Sequence, residues 1–74
     1  MEKSLNLLKP GQQATITRIT GEGVVRRRLM DMGLTRGTQI LIRKVAPLGD
    51  PIEVCIRGYE LTFRKSEAKK IFVL

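Results

Sequence analysis

The chain has 74 residues, of which 42% are hydrophobic, and it carries a formal net charge of +7 from fourteen Lys or Arg against seven Asp or Glu. This length predicts one domain over residues 1–74, with a core close to the lower size limit for independent folding. It leaves little room for an enclosed active site, and the hydrophobic content excludes a disordered chain. The positive charge fits a solvated basic surface, or a surface that meets an acidic protein, a nucleic acid or an anionic membrane.

The sequence also indicates where the protein resides. Its one cysteine, Cys55, cannot form an internal disulfide, which is typical of a reducing compartment. The N-terminal residues contain no apolar run of the kind found in signal peptides, and no stretch approaches the roughly 20 apolar residues of a membrane span. The sequence therefore predicts a cytoplasmic protein.

The first predicted elements are a helical turn over residues 4–8, capped by Ser4, and a strand over residues 13–19. A helix is predicted within residues 21–33, because Val25, Leu29 and Met32 recur at the spacing of one helix face. Gly33 and Leu34 follow with the pattern of a Schellman stop, in which the residue after the glycine contacts Leu29.

The second half of the chain predicts four further strands and short connections. Strands are expected over residues 38–45 and 52–57, and a tight hairpin at Gly58-Tyr59 leads to a strand over residues 60–64. A capped turn at residues 66–69 precedes a last strand at residues 71–73. The residues predicted to be critical for the fold are Leu29, Met32, Gly33, Leu34, Gly37, Pro47, Pro51 and Gly58.

The predicted class is all-β with one short helix. Five short strands bury too little surface as a flat sheet, so they are expected to curl into a small barrel. The predicted chain order matches that of an SH3-like five-stranded barrel, which has a long first connection, a middle loop, a tight hairpin and a helical turn between its strands. An OB-like barrel is the main alternative, although its helix normally falls between later strands.

Several segments together resemble the FeoA family across nearly the whole chain. These are KPG at 9–11, ATI at 14–16, RRLMDMGLTRG at 27–37, APLGDPI at 46–52, RGYEL at 57–61, RKSEA at 64–68 and IFV at 71–73. The resemblance implies an SH3-like fold and a small cytosolic accessory role in bacterial ferrous-iron uptake. The partner it implies is the membrane transporter FeoB, which carries a cytosolic GTP-binding domain, so the protein would lie at the inner membrane through that partner.

The arginines of the predicted helix are the main candidates for partner binding. They can dock an acidic surface, supply an arginine finger to a GTPase, or form a solvated face in which one of them offsets Asp31. The candidate partner-binding residues are Arg26, Arg27, Arg28, Arg36 and Tyr59. Barrel edges would also allow weak self-association.

Other functions have less support in the sequence. There is no His, Cys55 has no second thiol, and Asp50 and Glu53 straddle a loop and a strand, so no metal site, cofactor or catalytic residue is predicted. Nucleic-acid binding by a small basic regulatory module is the alternative function. The shortage of exposed aromatic rings removes the stacking platform of single-strand binders, so no specific nucleic acid is expected.

Overall fold

The computed structural model describes all 74 residues. The chain forms six strands and two α-helices, with one 3₁₀ turn at Leu5–Leu7 after the first strand. The strands are β1 (Lys3–Ser4), β2 (Gln13–Ile19), β3 (Gln39–Val45), β4 (Ile52–Ile56), β5 (Tyr59–Phe63) and β6 (Ile71–Val73), and the helices are α1 (Gly23–Asp31) and α2 (Lys65–Ala68).

The strands form one antiparallel sheet in the order β1-β6-β2-β3-β4-β5. The prediction of five strands was wrong by one, because β1 is a two-residue strand in which Lys3 lies opposite Val73. So short a strand has no alternation to detect, and only its distant partner defines it. The two end strands, β1 and β5, are not hydrogen-bonded to each other, so the predicted closure into a barrel is not observed.

The core is a single cluster of fifteen buried hydrophobic residues. The strands contribute alternate positions, as predicted: Ala14 and Ile16, Ile40 and Ile42, Ile52, Val54 and Ile56, Phe63, and Ile71 and Val73. Leu5 and Leu8 of the first turn are also buried, which confirms their predicted direction. Full burial of such a side chain stabilises the fold by about 1.5–3 kcal/mol.

Helix α1 packs on this core through one face. Leu29 is its only fully buried residue, while Val25 and Met32 are half-buried against the cluster. The predicted stop is confirmed, since the Leu34 N–H donates to the Leu29 carbonyl at 3.2 Å and Gly33 adopts a φ of +92°. These are the 6→1 bond and the left-handed residue of a Schellman motif.

The tight hairpin between β4 and β5 is shifted by one residue from its predicted position. Its two turn residues are Arg57 and Gly58, with φ of +49° and +85°, and Tyr59 already pairs with Ile56 as the first residue of β5. Two left-handed residues define a type I′ turn, whose twist matches that of the flanking strands. The signal for a hairpin was correct, but the local sequence did not reveal that an arginine would occupy the left-handed position.

The predicted helix caps were also wrong. Ser4 makes no side-chain cap to the first turn, and α2 begins at Lys65 rather than at Ser66. At the start of α2 the Arg64 N–H donates to Glu67 Oε1 at 2.9 Å, so the acid three residues on, not a hydroxyl, satisfies the helix end.

The other residues predicted to be fold-critical lie in connections. The Gly37 N–H donates to the Ile16 carbonyl at 2.8 Å, next to the point where β2 and β3 meet. Pro47 is exposed in the loop before β4, and Pro51 directly precedes β4. Asp50 Oδ1 of that loop accepts the Lys65 N–H at 3.0 Å, which ties the loop to α2.

We expect Leu29→Ala to destabilise the domain far more than Arg27→Ala. Leu29 is fully buried, so its truncation should cost roughly 2–5 kcal/mol through lost burial and a cavity. Arg27 is exposed, and its loss should stay within about 0.5 kcal/mol of neutral. Denaturant unfolding of both variants checks this, and equal shifts would contradict the packing of α1.

Candidate partner-binding site

The three consecutive arginines of α1 point in different directions. Successive residues of a helix are rotated by about 100°, so a run of three cannot share one face. Arg26 lines a cleft between α1 and β2, and Arg27 lines only the shallow depression beside it, next to Met30 and Asp31. Arg28 turns towards α2. The predicted arginine face is therefore divided between two sides of the helix.

Arg28 is committed to an ion pair within the fold. Its Nη1 lies 2.7 Å from Glu67 Oε2, and the Glu67 side chain is only 10% exposed. Asp31 belongs to none of the three ion pairs of the chain, so no arginine forms a direct pair with it, although Arg27 lines the same depression. A carboxylate almost forty residues away in sequence competes for Arg28, and no local pattern could have indicated it.

The cleft between α1 and β2, named here the arginine cleft, gathers positive charge over an apolar floor. It has a volume of about 260 Å³ and is lined by Thr17, Arg18, Ile19, Arg26, Met30, Leu34 and Arg36. No acidic residue lines it. Two predicted partner-binding residues, Arg26 and Arg36, thus come together, although ten positions separate them in sequence.

The structure adds Arg18 and Met30, which sequence reasoning missed. Met30 is 44% exposed beside Arg26, one helical turn along, so its solvent-facing helical position was the available signal. Arg18 lies in a strand that the sequence predicts, but only the structure shows which elements lie beside that strand. No sequence signal showed that α1 and this strand would line the same cleft.

Arg18 already holds one carboxylate. Its Nε donates to Glu2 Oε1 at 2.9 Å, and the Thr17 hydroxyl donates to the other Glu2 oxygen. These hydrogen bonds, first from Thr17 and then from Arg18, lower the pKa of Glu2 from its ordinary value. The Arg18 guanidinium also lies 4.2 Å from the centroid of the Phe72 ring, which fixes its position.

The remaining candidate, Tyr59, does not join the arginine cleft. It is 70% exposed at the start of β5 and is absent from the cleft lining.

Arg26, Arg27 and Arg36 belong to no ion pair, whereas Arg28 does. The available positive charge of the predicted set is therefore on Arg26, Arg27 and Arg36.

No group of three or more His, Cys, Asp and Glu side chains is placed to hold a metal ion. Neither of the two helices has the length and apolar character needed to cross a membrane.

Comparison with known sequences gives a family match. The model of the family described as FeoA domain matches residues 3–74. A curated relative from Porphyromonas gingivalis, an Fe(2+) transport protein A/Fe(2+) transporter FeoB fusion protein, is 41% identical over 69 residues. The match covers 93% of this chain and 8% of the relative, so the chain spans a small part of that protein's length.

Comparison with solved structures supports the fold. The NMR structure of a FeoA-like protein from Clostridium acetobutylicum has a TM-score of 0.90 and 46% identity, covering 99% of this chain and 85% of that one. A zinc-complexed FeoA from Stenotrophomonas maltophilia, described as a prokaryotic SH3 domain protein, has a TM-score of 0.84 and 24% identity over 96% of this chain and 88% of that one. A manganese-dependent transcriptional repressor reaches 0.90 at 18% identity, over 99% of this chain and 41% of its own. The last two similarities concern the fold alone.

We expect the domain to fold without metal. The ligand set that a structural metal needs is missing from the sequence, so a chelator should leave the thermal midpoint unchanged. Thermal unfolding with chelator and with micromolar ferrous iron measures this. A rise of more than a few degrees with iron would show a site that binds the native state, and would contradict the expectation.

Proposed function

The chain belongs to the FeoA domain family, and on that premise we propose that it is an accessory protein of bacterial ferrous-iron uptake that binds the cytosolic part of a FeoB-type transporter. The observation that carries the proposal is the relative in which a homologous segment is part of the same polypeptide as a FeoB transporter. Such a junction holds two proteins at a fixed ratio and a high local concentration, which serves proteins that act together.

The arginine cleft and the neighbouring Arg27 are the docking surface in this proposal. Arg26, Arg27 and Arg36 are exposed and belong to no ion pair, so their charges are free to meet carboxylates of a partner. Exposed charges of this kind act on encounter rate and register more than on affinity, and at physiological salt they are screened within about 8 Å. Met30, which lies in the cleft and is 44% exposed, supplies apolar surface that a partner can bury.

The role proposed is binding and not catalysis. Within the arginine run, Arg28 forms the ion pair with Glu67 described above, so reaching a nucleotide on a partner would require that pair to break. Arg26 and Arg27 remain free, and we assign them to docking because they adjoin an apolar floor that a protein surface can cover.

We expect Arg26→Glu with Arg27→Glu to reduce capture of the transporter. Both residues are exposed, so the double variant should fold normally while its reversed charges repel the acidic partner surface. The measurement is co-purification from membranes that contain a FeoB-type transporter, together with ferrous-iron uptake in cells. The control is Lys9→Glu with Lys69→Glu, which makes the same charge change at exposed residues outside every cleft.

The same variants separate this function from nucleic-acid binding. A transporter accessory should lose uptake and show negligible retention of DNA or RNA, whereas a nucleic-acid binder should show retention that falls steeply with salt and flattens in the double variant. Normal uptake and normal co-purification by a folded double variant would overturn the proposed surface. The loop at residues 46–51 and Tyr59 would then be the next surfaces to test.

A further inference from the structure

We propose that the arginine cleft binds an extended acidic peptide segment, which adds a strand to the free edge of β2 beside α1. The inference rests on the proposed function in one respect, since it assigns a chemical class to the part of the partner that docks there. It also predicts a binding mode, by main-chain hydrogen bonds, that the proposed function does not require.

The free edge follows from the unequal pairing of β2 on its two sides. On the side of β3, the last pair of strand residues is Thr15 opposite Gln39. Beyond it, the Ile16 backbone makes the final hydrogen bonds on this side, with Gly37 and Thr38. On the side of β6, pairing continues to Ile19. Residues 17–19 therefore form a strand with a neighbour on one side only, about 10 Å long.

This free edge is one wall of the arginine cleft. Thr17, Arg18 and Ile19 are all among its lining residues. The opposite wall is α1, which contributes Arg26 and Met30, four positions apart and so on one helix face. A groove between a strand edge and a helix is the arrangement in which peptides bind by strand addition, with main-chain bonds to the edge and alternate side chains directed to the helix.

The lining selects an acidic segment. It contains three arginines and no acid, and Arg26 and Arg36 are unpaired. The third, Arg18, already binds the Glu2 carboxylate with the help of the Thr17 hydroxyl, which shows the kind of group that this end of the cleft accepts. Acidic side chains at the alternate positions directed to the helix would meet the arginines, and the side chains between them would point to the opposite face of the strand.

The free edge of β5 does not fit the same ligand. β5 pairs only with β4, and its exposed residues include Glu60. The cleft at its far end is lined by Asp50 and Glu67 as well as by arginines. An acidic strand at β5 would therefore meet like charges, which are destabilising when placed directly opposite each other in a sheet.

The test uses the intact domain and a blocked peptide of about nine residues that alternates glutamate with valine, a length within the usual range of strands. Two matched peptides carry backbone N-methyl groups, one on the glutamates and one on the valines. A strand uses only one of its edges for pairing, so one methylated peptide should bind roughly ten-fold more weakly and the other about as well as the parent. Among residues 17–19, amide hydrogen exchange should slow at the N–H groups that point away from β6 when the parent peptide binds.

Charge is tested on the protein side with Arg36→Glu against Lys9→Glu, an exposed residue outside every cleft. Arg36→Glu should weaken peptide binding roughly ten-fold and Lys9→Glu much less, with both variants checked for native amide spectra. Equal binding of all three peptides without amide protection would mean attraction by charge alone and would overturn the inference.

The result also separates this inference from the proposed function. Absence of peptide binding, combined with transporter capture that depends on Arg26 and Arg27, would overturn strand addition and leave the accessory role intact. Peptide binding as expected, combined with transporter capture that ignores those arginines, would support the acidic-strand site and remove the proposed docking surface.

Discussion

The burial of Leu29 is the constraint on which the candidate site depends. Helix α1 has nine residues, too few to be stable in isolation, and Leu29 is its only fully buried side chain. The backbone stop returns Leu34 to the same region, where it is also fully buried and bonded to the Leu29 carbonyl. Two fixed points, one on the helix and one just beyond it, leave α1 no freedom to rotate about its axis.

The direction of each arginine follows from that anchor. With Leu29 directed into the core, Arg28 reaches Glu67 on one side of the helix, and Arg26 lines the arginine cleft with Met30 on the other. The Arg28 side chain is 59% exposed, so the ion pair itself adds little to stability, of the order of 0–1 kcal/mol. It links α1 to α2, in agreement with the orientation that Leu29 already imposes.

Local patterns in the sequence were sufficient for most of the fold. Alternation of buried residues such as Ile52 and Val54 located the strands, and the glycine after Met32 located the end of α1, because both signals depend on residues close in the chain. The errors concern pairings between distant segments. β1 exists only through β6, and the partner of Arg28 lies in α2. Neither the β1–β6 pairing nor the Arg28–Glu67 ion pair produces a periodic pattern in the sequence.

The candidate site was predictable in part for the same reason. The charge and exposure of Arg26 and Arg36 could be deduced from the helix face and from the turn that follows α1. These arginines lie near Arg18 because α1 and β2 line the same cleft, and the spacing of residues in the sequence does not reveal that arrangement. The hairpin residue Tyr59 has the exposure of a contact residue but lies outside the cleft.

Site-specific photo-crosslinking in cells tests the docking surface most directly. A photoreactive side chain replaces Met30 in the arginine cleft, Tyr59 on the hairpin, or the remote Lys9, one at a time, in cells that express a FeoB-type transporter. The account predicts a crosslink to the transporter from position 30, and none from position 9. A crosslink from position 59 with none from position 30, in folded protein, would place the contact on the hairpin and contradict the account.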